Sequence, residues 1–146
     1  MNTIKYGIVG FSKNEFDQKR AAQILRTCFE NIQYKHPHTT IEIVSGYTNT
    51  GVPKIAYELA DEFGFVTVGF SAQQALQVSC GVYPVQKVIL MGQQFGDESE
   101  DFVRYIDALI RVGGGAQSKH ETALFKAING QQHLEGLLQE FEVESL

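Results

Sequence analysis

Two kinds of hydrophobic spacing alternate along this chain. Short, β-branched runs occur at Thr3–Gly10, Thr40–Ser45, Phe65–Phe70, Val85–Met91 and Asp107–Ile110. They are apolar on both faces, as strands buried on both sides must be. Between them lie stretches with helical period. The first runs from Asn14 or Glu15 to about Lys35, with Ala21, Ala22, Leu25, Phe29 and Ile32 on one face; His36-Pro37 ends it. The second opens at Pro53, carries the stripe Ile55, Ala56, Leu59, Ala60, Phe63, and stops at Gly64. A short helix is predicted over Ser71–Leu76. Another, Ser99–Ile106, turns Phe102, Val103 and Ile106 inward. A further helix, Ser118–Ile128, has Leu124, Ala127 and Ile128 on one face. A last one carries Leu134, Leu137, Leu138 and Phe141.

Strands alternating with amphipathic helices predict an α/β fold of three layers, a mainly parallel sheet of about five or more strands with helices on both faces. At 146 residues the chain is expected to form one domain, residues 1–146, with a sizeable core. Ligands of such sheets bind beyond the carboxyl ends of the strands, where strand order reverses. Three polar, Gly-bounded loops follow strands here. They are Gly10-Phe11-Ser12, Gly46-Tyr47-Thr48-Asn49-Thr50-Gly51 and Gly113-Gly114-Gly115-Ala116-Gln117-Ser118. All are expected on one edge of the sheet.

The third loop carries the most chemistry. Glycines at a strand-to-helix junction let the backbone approach a ligand, and the unpaired N–H groups of the helix then point at it. That is an anion site, and phosphate is the natural anion. The same residues also suit a plain tight connection. Ser118-x-x-Glu121 has the spacing of a capping box. A net charge of −5 and a pI near 5.3 argue against a sequence-independent nucleic-acid binder but leave small anionic ligands open.

Other residues change the picture less. Cys28 and Cys80 lack metal or redox spacing and are expected to be buried free thiols of a reducing compartment. No apolar run reaches membrane-spanning length and no secretory signal opens the chain, so a cytoplasmic protein is expected. No metal site and no resident cofactor are expected, and His36, His38 and His133 have no ligand spacing. The acidic run Asp97–Asp101 reads chiefly as a dipole-complementing first turn, or else as a Mg²⁺ or ribose site. Lys119, His120 and Arg111 flank the third loop, and either they serve a bound phosphate or they face solvent. Tyr47 either stacks on a ligand or stands exposed in its loop.

Three segments, "GIVGFS", "VSGYTNTGVPKIAYELADEFGFVTVGF" and "DALIRVGGGAQSKHE", resemble the SLOG superfamily, which includes the LOG proteins often mislabelled lysine decarboxylases. The resemblance spans most of the chain and implies a Rossmann-like fold. Gly114 and Gly115 match the paired glycines of the family's Pro-Gly-Gly-x-Gly-Thr-x-x-Glu signature, Ser118 stands for its threonine, and Glu121 matches its glutamate. Gly46 and Gly51 match the ends of the second loop. LOG enzymes cleave the N-glycosidic bond of nucleoside 5′-monophosphates, and by this resemblance Glu121 would be the catalytic carboxylate. The departures are Gly113 for the proline, Gln117 for the third glycine, and Tyr47 and Thr48 for glycines. Glu98 stands where the active enzymes carry an arginine. The resemblance therefore implies binding of a nucleotide or other phosphorylated small molecule by a diverged, non-catalytic protein. A phosphoribohydrolase and a structural homo-oligomer with a vestigial pocket are the alternatives. A homodimer or larger assembly is expected, with neither nucleic acid nor membrane as partner.

Overall fold

A computed structural model describes residues 2–130 and 134–146. Six strands form one parallel sheet: β1 (Thr3–Gly10), β2 (Thr40–Ser45), β3 (Val66–Ser71), β4 (Lys87–Leu90), β5 (Ala108–Val112) and β6 (Leu138–Phe141). Their order across the sheet is β4-β3-β2-β1-β5-β6. The chain winds outward from β1 in one direction as far as β4, then returns to the other side of β1. The reversal falls between β1 and β5, where the loops above the sheet must part.

Among the described residues four α-helices cover the sheet: α1 (Gln18–Lys35), α2 (Gly51–Phe63), α3 (Ser99–Tyr105) and α4 (Ala116–Asn129). One face packs Ile8, Ile43 and Ile110 against Leu25 and Phe29 of α1 and Val52 and Ala56 of α2. The other packs Val9, Val44, Val68 and Leu109 against Phe102 and Val103 of α3 and Phe125 of α4. This is the expected three-layer, Rossmann-like architecture. The faces foreseen for α1, α2 and α3 are the buried ones, and Gly64 ends α2 in the left-handed conformation at φ 75°.

Several expectations need correction. Helix α1 starts at Gln18, not at Asn14 or Glu15. Asp17 caps it by accepting from the Arg20 N–H at 3.0 Å, and Phe16 makes an antiparallel bridge with Ser145. The segment expected as a last helix is the strand β6. Gly136 at φ 80° and the Leu137 and Leu138 N–H groups, both on the Leu134 carbonyl, make a tight turn into it. The apolar spacing of Leu134, Leu137, Leu138 and Phe141 arises from that turn and from packing on the sheet edge. His133 lies outside the described residues. In α4 the buried side chains are Ser118, Glu121, Thr122 and Phe125, whereas Ile128 is exposed. The helix turns a polar face inward because its first turns border a cleft.

Arg111 points away from that cleft. Its guanidinium reaches Glu140 at 3.0 Å and Glu142 at 2.9 Å, tying β6 to β5. Phe102 is buried, and Leu134, Leu137 and Leu138 are partly buried against the second core. Among the described residues no helix is long and apolar enough to cross a membrane.

Candidate functional site

A cleft of about 670 Å³ opens at the carboxyl edge of the sheet, over the β1–β5 reversal. Of the residues singled out in the three loops, Gly10, Ser12, Gly46, Thr48, Thr50, Gly115, Ala116, Gln117 and Ser118 line it, and Glu121 of α4 joins them. Phe11, Tyr47, Asn49, Gly51, Gly113 and Gly114 stand behind them.

The second group explains why the loops take their shape. A Cβ on Gly114 would come within 2.0 Å of Ser118 Oγ and 2.9 Å of the Gly10 carbonyl carbon, and Gly114 sits at φ 105°. A Cβ on Gly51, at φ 66°, would lie 2.3 Å from the Phe11 carbonyl oxygen. These glycines thus let one loop lie on another. Tyr47 packs its ring over Gly69 of β3, and its N–H donates to Ser71 Oγ at 2.8 Å.

The loops differ in what they can offer a ligand. At the start of α2 the Gly51 N–H donates to Asn14 Oδ1 at 2.9 Å and the Val52 N–H to the Phe11 carbonyl at 2.8 Å. Pro53 has no N–H at all. The Asn49 N–H and the Tyr47 carbonyl are engaged by Gly81 and Tyr83 of the chain after β3. That terminus is occupied by its own protein. The start of α4 is not. The N–H groups of Ala116, Gln117 and Ser118 have no intrahelical acceptor by helix geometry. Among the described residues they have no other partner either, and all three residues line the cleft. The positive end of the helix dipole stands behind them.

The expected capping box is absent. The helix begins at Ala116 with Gly115 as N-cap, so Ser118 is already the third helical residue, and its hydroxyl donates to the Gly115 carbonyl at 3.2 Å. Glu121 is freed for other contacts. Its Oε2 accepts from Ser99 Oγ at 2.9 Å and lies 3.4 Å from Gln117 Nε2. Burial, reinforced by the charge of Glu98, pushes the Glu121 carboxyl up to about 7. Glu98 is also held above the usual carboxylate range, first by burial and then by Asp97; the Gly96 N–H on its Oε1 at 2.7 Å opposes this.

The acidic run therefore divides. Asp97 accepts from the Gln93 and Gln94 N–H groups, Glu100 pairs with Arg104, and Glu98 faces the cleft. Among the described residues, no group of three or more His, Cys, Asp or Glu side chains has the arrangement of a metal site. Lys119 and His120 are exposed and do not line the cleft.

Sequence reasoning missed one wall. Lys13, Asn14 and Glu15 line the cleft, as do Val78, Ser79 and Cys80. The Lys13 segment was expected to begin a helix. It is instead pinned by the C-terminal residues: the Asp17 N–H donates to the Glu144 carbonyl and the Leu146 N–H to the Glu15 carbonyl, both at 2.9 Å. No local pattern signals such a distant pairing. Cys80 also departs from expectation. Cys28 is buried and burial pushes its thiol up to about 11, whereas Cys80 is exposed at the cleft. Alkylation at pH 8 should therefore modify one thiol per native chain and two in denaturant, because only about one Cys28 in a thousand would be thiolate even if reached. Two fast-reacting thiols in the native protein would contradict this placement.

No protein-family model and no curated protein sequence matches the chain. Solved structures do match its fold. The molybdenum cofactor binding protein of the phototrophic bacterium Rippkaea orientalis superposes with a TM-score of 0.65 at 19% identity, over 97% of this chain and 76% of that one. The molybdenum cofactor carrier protein of Chlamydomonas reinhardtii gives 0.67 at 17% identity, over 95% and 89%. The structural-genomics target TM1055 gives 0.65 at 16% identity, over 95% and 91%. The chain thus shares its Rossmann-like fold with all three across nearly its whole length.

Proposed function

We propose that this protein binds a phosphorylated, nucleotide-type small molecule in the β1–β5 cleft and acts as a binding protein rather than a hydrolase. One observation carries the reading: three consecutive helix N-terminal N–H groups open on the cleft with no acceptor. Ala116 and Gln117 are exposed at the mouth of the cleft and Ser118 is buried, so an anion can reach their N–H groups, and a phosphate satisfies several at once. Ser12, Thr48 and Thr50 stand around the same space as hydroxyl donors. Lys13 supplies a cation.

Charge supports the non-catalytic reading. Among the described residues lining the cleft, Lys13 is the one Lys or Arg, and Glu98 adds a carboxyl group beside Glu121. A developing oxocarbenium ion needs an ionised carboxylate, whereas Glu121 is about half protonated at neutral pH. The same value supports the second reading, a phosphoribohydrolase, because a carboxyl titrating near 7 is suited to general acid–base work.

The test is a thermal-shift screen over nucleoside 5′-monophosphates, other phosphate esters and the molybdenum cofactor that names two of the similar structures. It is run with Cys80 alkylation as a local reporter. A binder should raise the Tm and slow alkylation of Cys80 at least several-fold, with no free base released. Base release abolished by Glu121→Ala would favour the hydrolase. No shift and no protection across the panel would remove the phosphate reading.

A further inference from the structure

The carboxyl pair narrows the ligand class. Glu98, just before α3, and Glu121, in the second turn of α4, are 3% and 6% exposed, yet both line the cleft. The Gln117 amide lines the same cleft and donates from Nε2 to Glu121 Oε2 at 3.4 Å. The contacts of Glu121 all fall on Oε2. Among the described residues its Oε1 has no hydrogen-bond partner, although it is not sealed from solvent. It is a buried side chain with a polar atom turned to the cavity.

A phosphate on the α4 amides would meet this pair at short range. Gln117 and Glu121 are four residues apart on one helix, so the two sites are separated by roughly 5–8 Å. Among the charged and titratable groups around the pair, Lys13 is cationic, Glu15 and Asp97 are acidic, and Cys80 is a thiol. A purely anionic ligand would set its phosphate beside two carboxyl groups with Lys13 as the one Lys or Arg among the described lining residues. An isolated charge buried in that way is costly, and a cation alongside removes the cost. Phe95, exposed at the rim, offers an aromatic face for a flat cation.

Resting on the phosphate reading above, we propose that the ligand is a zwitterionic phosphomonoester. Its phosphate takes the α4 amides, and a fixed positive charge on a flat ring, as in a nucleotide with an N-substituted pyridinium base, lies against Glu98 and Glu121. The cation binds the ionised pair, so binding releases protons near neutral pH and tightens as pH rises.

Titration calorimetry on the full chain, in EDTA at pH 6 and pH 8, tests this with nicotinamide mononucleotide and its dihydro form. The two differ by one ring charge at nearly constant shape. The phosphate's own ionisation near pH 6 is common to both and cancels from their ratio. The charged form should bind roughly 10- to 100-fold more tightly at pH 8, with a smaller ratio at pH 6. Glu98→Gln should shrink the ratio while both forms still bind. Equal affinity, or tighter binding of the uncharged form, overturns the charge inference and leaves the phosphate reading intact. Binding of neutral-base nucleotides alone does the same. If no phosphate ester binds, both fail. Added Mg²⁺ that brings the uncharged form level would assign the pair to a metal-bridged phosphate and also overturn the inference.

Discussion

Glu121→Gln should make the protein more stable at pH 8 and leave it nearly unchanged at pH 4.5. The folded state holds the Glu121 proton up to about pH 7, well above the ordinary carboxyl value of 4.5. Between those values the folded chain binds more protons than the unfolded one. Stability therefore falls as pH rises from about 4.5 through 7 and stays low above it. Glutamine cannot ionise, and it still accepts from Ser99 Oγ. At 6% exposure solvent screens the group little. The expected gain at pH 8 is roughly 2–3 kcal/mol, or about 4–10 °C in Tm. Melting curves of both proteins at four pH values decide the matter. A constant gap between the two curves would mean that Glu121 does not titrate where its surroundings place it.

Gly114→Ala should have the opposite effect and act at every pH. The added methyl group meets two obstacles. Ser118 Oγ, 2.0 Å away, can rotate aside; the Gly10 backbone, 2.9 Å away in a central strand, cannot. The φ of 105° also lies outside the range an alanine adopts readily. Backbone strain and overpacking each cost about 1–3 kcal/mol, so the loss should be about 3 kcal/mol or more. Displacing Ser118 would also disturb the free amides of α4 and weaken ligand binding. Gly115→Ala is the control, because Gly115 is at φ −104° with nothing within 4 Å of its built Cβ. Urea midpoints that fall equally for both variants would sink the argument that the loops are wedged against each other at Gly114.

How much of this was legible beforehand follows from the range of each signal. Strands β1, β2, β3 and β5 announce themselves because both faces are buried, which leaves unbroken β-branched runs. The face of α2 is legible because one apolar core alone receives it. Loops after parallel strands must share an edge, so the meeting of Gly10, Gly46 and Gly115 at one rim needed no knowledge of side chains. What failed was non-local. Strand β6 lies at the sheet edge, where Gln139 and Glu140 are exposed, and its pattern was read with the wrong period. The inner face of α4 is set partly by a polar cleft, so Ala127 and Ile128, both exposed, gave the wrong direction, whereas Leu124 does pack on the second core. Glycine in a loop signals room without saying for what, and Gly51 and Gly114 make room for neighbouring chain. Glu98 was placed as a departure from a family pattern, but its proximity to Glu121 is a tertiary fact.

The bridge between Phe16 and Ser145 joins the first loop of the chain to its far end. During synthesis, the segment carrying Lys13 and Asn14 is made roughly 130 residues before the Ser145 segment that pins it, and must wait for that partner. Such a contact carries a high loop-closure entropy and forms late. The half of the sheet from β1 to β4 can assemble while translation continues, but the site can reach its final form only after the Glu144–Leu146 segment has emerged.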